Sequence, residues 1–345
     1  KKYKNFYRNL YFSEFFEILK SQKFLKKFFS KINYFSFSGN QLQPWFFFWF
    51  FNSADIIGIK IHWLIKKKVK RALKSILFKK GCVNKNFFSS ETILSFYSAL
   101  LSFSCFGYFE YQIHRHLQII IYSFLKKLKK KQTYRCSIYG ESDSRSFFCV
   151  LVIGSFYNIL TKNLLKDFDL SFYNKCNLDG GYGCEKLEES HGALTFCEIA
   201  SLIFFSNRKT SCFFHPNLEN WVLKKFKPFE FGIQGRLSKL PDTCYLFWVG
   251  GISIICCFFF PIEFLNVLIF DRERETGGFS DQIGKIPDLY HSCYSICGIA
   301  LCNFVKKKKL FFINYKKKRI SLFKINPVYG VREKKVGNIL FFSKE

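Results

Sequence analysis

The stretch Gly277-Gly-Phe-Ser-Asp-Gln-Ile-Gly-Lys-Ile-Pro-Asp-Leu-Tyr-His-Ser-Cys-Tyr294 runs from a glycine turn through an acidic residue into an apolar, aromatic segment. Three earlier segments follow the same order and begin at Tyr139, Gly180 and Phe231. Superposition of the four segments places these residues at one repeat position: Arg145, His191, Cys244 and His291. Their spacings are 46, 53 and 47 residues. A period near 50 residues fits two helices and two turns, so the sequence predicts an array of helical hairpins.

The segments after the glycine turns have the pattern of helices. Apolar residues recur at intervals of three and four at Phe196, Ile199, Ala200 and Ile203, which is typical of one helix face. Predicted N-caps precede these helices: Ser142 or Asp143, Ser190, Asp242 and Asp288. Strand alternation is weak throughout, so we predict an all-α fold. In a closed array the first turns of these helices would lie together around the opening at one end.

The net charge is +29, from 54 basic and 25 acidic residues, and 21% of the residues are aromatic. Only 11 of the basic residues are Arg, whereas recognition of base edges favours Arg. The joint excess of Phe, Lys, Asn and Ile is typical of an AT-rich coding sequence. Two interpretations stay open, compositional drift and a surface selected to bind polyanions, and we expect no nucleic-acid partner.

Fourteen cysteines in 345 residues are too few for a disulfide scaffold, and no secretory signal is visible. We therefore expect free thiols in a reducing, cytoplasmic compartment. Three uncharged stretches, Thr92–Phe109, Ser146–Thr161 and Leu246–Pro261, are shorter than the ~20 residues of a membrane span. We predict that they are buried core helices and that the chain does not span a membrane. The lack of any Met predicts a fragment or a trimmed start.

A carboxylate, a thiol and an imidazole come from Asp242, Cys244 and His291. Three protein ligands with an open fourth position are typical of catalytic zinc. The spacing alone also fits a buried thiol beside a capping Asp. The shared repeat position favours the metal.

Arg236 and Lys239 lie three residues apart before a predicted helix, where two cations suit a diphosphate. A solvated basic turn is the alternative. His191 with Glu189 fits either a capping motif or a pair that orients a ligand. The glycine pairs fit no phosphate-loop motif, so nucleotide binding is not predicted.

The same motifs resemble those of protein prenyltransferase β subunits, most like the farnesyltransferase β subunit, from about Trp45 to Leu301. They are Asp179-Gly-Gly-Tyr-Gly-Cys184, Glu189-Ser-His-Gly-Ala-Leu-Thr-Phe-Cys197, Gly235-Arg-Leu-Ser-Lys-Leu-Pro-Asp-Thr-Cys-Tyr-Leu-Phe-Trp248 and the stretch quoted first. The resemblance implies an α/α toroid, with two concentric rings of helices around an aromatic funnel. It implies one domain over residues 1–345, with 1–41 and 305–345 matched only loosely.

The resemblance also implies the roles of individual residues. The zinc ligands would be Asp242, Cys244 and His291, and zinc would hold the acceptor cysteine as a thiolate. The residues that bind the departing diphosphate would be His191, Arg236, Lys239 and Tyr245. The pocket for isoprenoid and peptide would comprise Trp45, Trp49, Phe148, Trp248, Tyr290 and Tyr294. Arg145 and Glu141 would lie near the peptide carboxylate, and Asp281 matches a carboxylate linked to Mg²⁺ dependence.

Three families share this fold and zinc site: farnesyltransferase, geranylgeranyltransferase type I and the Rab geranylgeranyltransferase. Trp45, Tyr294 and Asp281 follow the farnesyltransferase pattern, and a bulky indole at the pocket end would exclude one further isoprene unit. The segments at 189–192 and 242–245 read closer to type I, and Asp281 also occurs in the Rab enzyme. We expect a farnesyltransferase, with a geranylgeranyltransferase as the alternative.

The resemblance implies an α-subunit partner, farnesyl diphosphate and acceptors that end in Cys-aliphatic-aliphatic-X. Ser89 stands where the family has a His, and Phe231 replaces a turn glycine. A terpene cyclase would need a DxDD motif, for which Asp167-Phe-Asp169 is too sparse. A zinc-stabilised scaffold or a membrane-associated binding module would instead close the fourth zinc position with Cys293 or Cys297. A degenerate, inactive copy is a further alternative, although every predicted metal and diphosphate residue is present.

Overall fold

The structure is a computed structural model, and it describes most of the chain. The described residues are 21–27, 43–77, 92–106, 115–131, 133–166, 176–185, 187–204, 216–227, 229–230, 232–258, 277–282, 284–305, 313–315, 318–320 and 322–336. The predictions on Ser89, Asp167, Asp169 and Phe231 fall outside these ranges.

The chain divides into two compact units. One comprises Lys1–Ser38, Trp49–Ile61 and Lys225–Glu333, and the other comprises Gly39–Phe48, His62–Lys224 and Lys334–Glu345. We call them the metal-site unit and the amino-proximal unit. The expectation of a single toroidal domain over residues 1–345 stays a prediction.

Helices dominate the described residues. In chain order they are α1 (Gln43–Ile57), α2 (Trp63–Leu77), α3 (Ile93–Cys105), α4 (Arg115–Leu128), α5 (Ser144–Phe156), α6 (Lys162–Leu165), α7 (Gly192–Ile203), α8 (Leu218–Lys224), α9 (Tyr245–Cys256), α10 (Leu289–Val305) and α11 (Glu333–Val336). Residues 21–27 are also helical. Within the described ranges the strands are short antiparallel pairs: β1 (Lys129–Lys130) with β2 (Thr133–Tyr134), β3 (Phe226–Lys227) with β4 (Gly232–Ile233), and β5 (Ile313–Tyr315) with β6 (Lys318–Ile320).

Consecutive hairpins supply the core of the amino-proximal unit. Helix α3 packs on α5, and α5 packs on α7. The predicted apolar face of α7 is buried, with Phe196 at 1% exposure and Ile199 and Ala200 at 0%. Burial of such faces, rather than intrinsic helix propensity, supplies most of the stability of helices this short.

The metal-site unit is built on the pairing of α9 with α10. The two helices approach closely at Gly298, where an added Cβ would lie 2.4 Å from Leu246 Cγ. Any larger residue at Gly298 would therefore push α10 away from α9.

The three uncharged stretches form helices of 13, 13 and 12 residues, α3, α5 and α9, whose side chains are mostly buried. Among the described helices, none is long and apolar enough to cross a membrane. Free thiols are present at these cysteines: Cys105, Cys136, Cys149, Cys176, Cys184, Cys197, Cys244, Cys256, Cys257, Cys293 and Cys297.

Isolated backbone bridges close the turns before three of the four repeat helices: Arg135 to Ser142 before α5, Cys176 to Tyr182 before α7 and Phe279 to Asp288 before α10. The β3–β4 pair precedes α9. Two of the bridged turns are bound to the helices that follow by equivalent hydrogen bonds. Thr195 Oγ1 accepts from Tyr182 N at 3.0 Å, and Ser292 Oγ accepts from Phe279 N at 2.9 Å. The predicted repeat is thus present as local structure.

Three of the predicted caps need correction or completion. The prediction for Asp242 is wrong, because the cap position of α9 is Cys244, which makes no side-chain cap hydrogen bond. Asp143 caps α5 in a capping box with Ser146, which selects one of the two proposed residues. The prediction for Ser190 is wrong: His191 caps α7 through Nδ1, and Ser190 instead donates to Asp179 at 2.7 Å. A fifth turn, closed by the Ile325–Arg332 bridge, lies in the segment that the sequence matched only loosely.

A buried asparagine connects three segments of the metal-site unit. Asn52 on α1 is fully buried and donates from Nδ2 to Gly330 O at 2.8 Å and to Cys297 Sγ at 3.4 Å. Asn52→Ala would leave the buried Gly330 carbonyl with a weak thiol donor only. We expect the free energy of unfolding to fall by about 1–3 kcal/mol, measured by urea denaturation.

The matched control is Asn217→Ala. Asn217 Nδ2 makes the same type of bond, 2.9 Å to Leu178 O, but at the exposed surface, where water replaces the lost donor. We expect a smaller loss, below about 1 kcal/mol. Equal losses for the two variants would contradict the role given to Asn52.

Candidate metal centre

Two helix starts bring three metal-binding side chains together. Cys244 directly precedes α9, Asp242 lies two residues earlier, and His291 is the third residue of α10. Their ligand atoms all lie within 4.8 Å of one another, which is the one such group among the described residues. Cys244 is 3% exposed, and the side chains of His291 and Asp242 are 18% and 24% exposed. The trio is therefore sheltered but open on one side.

The segment around Thr243 holds the two helix starts side by side. Thr243 Oγ1 donates to Ser280 O at 2.8 Å, and Thr243 N donates to Asp281 O at 3.3 Å. Within the loop, Asp242 Oδ1 accepts from Cys244 N at 2.8 Å. These bonds fix the carboxylate and the thiol next to the turn that leads into α10.

His291 is oriented by a carboxylate one helical turn before it. Asp288 Oδ2 lies 2.6 Å from His291 Nδ1, and Asp288 Oδ1 caps the backbone N–H of the same residue at 2.9 Å. His291 Nε2 therefore points to the trio, 3.5 Å from Asp242 Oδ2. A carboxylate on the remote ring nitrogen is the usual support of a metal-binding histidine.

The electrostatic environment of the trio favours a bound cation. Burial disfavours the imidazolium, but hydrogen bonds and charge from Asp242 and Asp288 raise the pKa of His291 to about 9. Burial and the charge of Asp242 raise the pKa of the Cys244 thiol well above its ordinary value. Burial would raise the pKa of Asp242, yet His291 and the Cys244 N–H lower it. A divalent ion would displace the protons of the imidazole and the thiol.

The donor set fits zinc. Thiolate, imidazole and carboxylate are its preferred ligands, and three protein donors leave a fourth position for a substrate. The scaffold alternative required Cys293 or Cys297 as a further ligand. Both thiols instead contact Asn52 Nδ2, at 3.6 and 3.4 Å, and neither belongs to the described group of donors.

Four of the predicted pocket residues form one aromatic cluster beside the trio, in the metal-site unit. Trp248 lies 4.5 Å from Tyr294 between ring centroids, Tyr290 lies 4.9 Å from Tyr294, and Trp49 lies 5.4 Å from Tyr290. Tyr290 also stacks edge-on against the imidazole of His291 at 4.8 Å. An apolar wall therefore borders the metal donors directly.

The other two predicted pocket residues lie in a second cluster, within the amino-proximal unit. Trp45 contacts Tyr97 at 6.0 Å, Tyr97 contacts Phe148 at 5.9 Å, and Phe148 contacts Phe196 at 6.0 Å. These rings form a continuous line through α1, α3, α5 and α7.

The predicted diphosphate residues lie at helix starts. Arg236 and Lys239 are exposed in the loop before α9, and Tyr245 begins that helix. Gly235 packs against the Tyr245 ring so closely that an added Cβ would overlap it. His191 lies in the other unit as the cap of α7.

The remaining predicted residues have local partners. Arg145, half-exposed, binds the Asp143 carboxylate through Nε at 3.0 Å and Nη2 at 2.5 Å. Glu141 is exposed in the turn before α5, where its carbonyl accepts from Cys136 N at 2.7 Å. Asp281 pairs with Lys285 at 2.6 Å, so a magnesium-linked role requires this ion pair to open.

Two contributions were missed by the sequence reasoning. Asp288 was predicted only as a cap, although an Asp three residues before a His on a helix indicates a possible ring partner as well. Tyr290 was predicted only as a pocket wall, yet its phenol acts to lower the pKa of the Cys244 thiol, against the larger effect of burial. Trp248 Nε1 lies 3.2 Å from Tyr290 Oη, and because indole is a donor only, the phenol must accept there. The phenol proton is therefore available to the Cys244 thiolate.

Tyr290→Phe should therefore weaken metal binding without removing a ligand. Loss of the O–H donor leaves the Cys244 thiolate less stabilised, and we expect about 10-fold weaker zinc binding in a chelator competition. In the cobalt-substituted protein the sulfur-to-metal absorption band should move to longer wavelength.

Tyr294→Phe is the control, since it removes a phenol from the same cluster one helical turn away and keeps the donor to Cys244. Its zinc affinity and cobalt spectrum should match those of the unmodified chain. Unchanged affinity and spectrum in Tyr290→Phe would contradict the hydrogen bond to the sulfur.

Comparison with known proteins agrees with this architecture. A family profile described as "Prenyltransferase alpha-alpha toroid domain" matches residues 16–331. The protein farnesyltransferase subunit beta of Schizosaccharomyces pombe is 27% identical over 280 residues, covering 75% of this chain and 71% of its own length. The geranylgeranyl transferase type-1 subunit beta of Arabidopsis thaliana is 34% identical over 176 residues, which cover 47% of this chain and 46% of that protein's own length.

A solved structure extends the similarity to the fold. Candida albicans protein geranylgeranyltransferase-I complexed with GGPP superposes with a TM-score of 0.68 at 18% identity, covering 93% of this chain and 97% of that one. The predicted fold class, an all-α α/α toroid, and the predicted enzyme class, a prenyl-transferring enzyme, are confirmed. The chain therefore belongs to the prenyltransferase alpha-alpha toroid family, in its protein prenyltransferase β-subunit branch.

Proposed function

We propose that the chain is the catalytic β subunit of a zinc-dependent protein farnesyltransferase. It would transfer farnesyl from farnesyl diphosphate to the cysteine thiol of a C-terminal Cys-aliphatic-aliphatic-X motif. The observation that carries this proposal is the sheltered trio of Asp242, Cys244 and His291 directly beside an aromatic wall. A thiol-activating site and an apolar surface are the two features that thioether formation with an isoprenoid requires.

Zinc bound by the trio would supply positive charge that keeps the acceptor cysteine as a thiolate at neutral pH. Asp288 keeps the His291 ring turned so that Nε2 faces that position. Tyr290 stabilises the negative charge of the Cys244 sulfur. With zinc bound, the chain would present two anionic donors, Asp242 and Cys244, and one neutral donor, His291.

The reaction forms a bond from the acceptor sulfur to C1 of the isoprenoid and breaks the bond from C1 to the bridging oxygen. Diphosphate leaves with the electron pair, and the thiol proton goes to solvent when the thiolate forms. Aromatic side chains at Trp248, Tyr290 and Tyr294 exclude water from this position and contact the apolar chain.

Cations near the same helix start would stabilise the leaving diphosphate. Arg236 and Lys239 are exposed, and Tyr245 lies close enough to Arg236 for its charge to lower the pKa of the phenol, against the larger effect of burial. The N–H groups at the start of α9 add a partial positive charge. His191 would contribute from the cap of α7, and Arg145 with Glu141 would contact the acceptor carboxylate.

Two observations support farnesyl as the donor. The farnesyltransferase relative aligns along three quarters of the chain, whereas the type-1 geranylgeranyl relative aligns along less than half. Trp45 also supplies a large indole against Tyr97, in the aromatic line that includes Phe148. Such a side chain would shorten the pocket by about one isoprene unit. Tyr294 and Asp281 follow the same pattern.

A geranylgeranyltransferase type I β subunit is the second candidate. The higher local identity, 34% over 176 residues, favours it. Either enzyme would need an α-subunit partner, as the name "subunit beta" of the relatives indicates. Mg²⁺ would assist diphosphate departure at Asp281 in the farnesyl case.

Cys244→Ala should remove zinc and transfer activity together. The variant keeps the aromatic wall and the basic loop, so we expect binding of farnesyl diphosphate to change less than threefold. Zinc content by mass spectrometry, transfer to a Cys-terminated peptide and fluorescence titration with the diphosphate measure the three properties. Cys256→Ala, a thiol near the far end of α9, is the control and should keep all three. Full transfer activity in Cys244→Ala would contradict the site.

Trp45→Thr should relax the choice of donor. Removing the indole opens space for one more isoprene unit, so the ratio of kcat/KM for geranylgeranyl over farnesyl diphosphate should rise at least 10-fold. Trp45→Phe keeps a bulky ring and should keep the farnesyl preference. Geranylgeranyl transfer by the unmodified chain would exclude the farnesyl assignment and leave the family unchanged.

A further inference from the structure

Helix α2 carries a one-sided cationic surface. Its 15 residues contain six cations and no acidic residue: Lys66, Lys67, Lys68, Lys70, Arg71 and Lys74. Val69 at 1% and Leu73 at 0% exposure form the buried side, and the helix packs on α3. The cations are therefore held on a helix whose orientation is fixed by its apolar side.

Two large apolar side chains are exposed on the opposite side. Trp63 is 61% and Leu64 is 46% exposed, both in the first turn. At about 100° per residue, an arc of about 140° contains Trp63, Leu64, Lys67, Lys68, Arg71 and Lys74. We call this arc the α2 face. Lys67 Nζ lies 5.6 Å from the centre of the Trp63 ring, so cations and aromatic ring are neighbours.

The cations of the α2 face have no acidic partner among the described residues. Within that part of the chain, Lys67, Lys68, Arg71 and Lys74 form no salt bridge. Salt bridges elsewhere do neutralise cations, as at Lys285 with Asp281 and Arg332 with Asp55. As far as the described residues go, the α2 face therefore presents four unpaired charges beside exposed Trp and Leu.

This combination matches the surface of an anionic bilayer. A helix that lies at a lipid–water interface places Trp and Leu among the headgroups and upper acyl chains, with Lys and Arg on anionic phosphates. A nucleic-acid surface would use the cations but would leave Leu64 without a role, and three of the four cations are Lys rather than Arg. The exposed Trp63 and Leu64 thus favour an anionic bilayer over nucleic acid as the partner.

We propose that the α2 face docks the chain on the surface of a bilayer that contains anionic phospholipids. Trp63 and Leu64 insert at headgroup depth, and the four cations bind lipid phosphates. The inference goes beyond the proposed function and does not depend on it.

The test is co-sedimentation of the whole chain with vesicles at 0.1 M salt (about physiological screening). The vesicles are phosphatidylcholine alone, or phosphatidylcholine with about one third phosphatidylserine. We expect binding to the anionic vesicles only. The variant K67Q/K68Q/R71Q/K74Q should lose at least about 100-fold in partition coefficient, since each cation near an anionic surface contributes about fivefold.

The matched control is K126Q/K127Q/K130Q/K131Q, which removes four exposed cations from the end of α4 and the adjoining turn. Both variants have the same net charge, so general attraction by the +29 chain would reduce binding equally in the two. We expect the control to lose less than fivefold. Equal losses would overturn the proposal.

A second pair of variants tests the apolar contribution. W63S/L64S should lower binding to anionic vesicles about 10-fold, and L178S/L187S, which changes two still more exposed leucines elsewhere, should not. Circular dichroism melts establish that each variant is folded. Unchanged binding of W63S/L64S, or binding of the α2 face to polyuridylate with no binding to vesicles, would overturn the proposal.

Discussion

The hydrogen bonds from Thr243 to the turn before α10 are the constraint on which the candidate metal centre depends. Asp242 and Cys244 flank Thr243, and His291 follows the turn that Thr243 binds through Ser280 O and Asp281 O. Two segments nearly 50 residues apart are thereby brought within ligand distance. The close approach of α9 and α10 at Gly298 keeps the two helix starts in register. A metal ion would add to a geometry that the chain already holds.

The repeat explains how one fold places unlike chemistry at equivalent positions. Each repeat contributes a turn, a helix start and an apolar helix body, so the backbone holds the position at the helix start while the residue type there differs between repeats. At this level His191 serves as a cap, Cys244 and His291 as metal donors, and Arg145 as the partner of a capping carboxylate. The apolar helix bodies form the buried core, and the residues at the helix starts supply the functional side chains.

The repeat, the helix bodies and the donor trio could be predicted from the sequence because each leaves a periodic or motif-based signal. Details decided by competition between neighbouring polar groups could not. Ser190 was expected to cap α7, but Asp179 binds its hydroxyl and His191 takes the cap. The orientation of the Tyr290 phenol beside Cys244 depends on the position of Trp248, which no spacing rule encodes. The α2 face could not be predicted from the sequence because cations are abundant along the whole chain. It is distinguished from other cationic segments only by the exposure of Trp63 and Leu64.

X-ray absorption spectroscopy of the zinc-loaded protein tests the central claim most directly, because it counts the sulfur atoms bound to the metal. The account predicts one sulfur with nitrogen and oxygen ligands in the protein alone, from Cys244, His291 and Asp242. Addition of a Cys-terminated acceptor peptide should raise the count to two sulfurs, as the peptide thiolate takes the fourth position. Two or more sulfurs before the peptide is added, or a count that the peptide leaves unchanged, would contradict an open catalytic site.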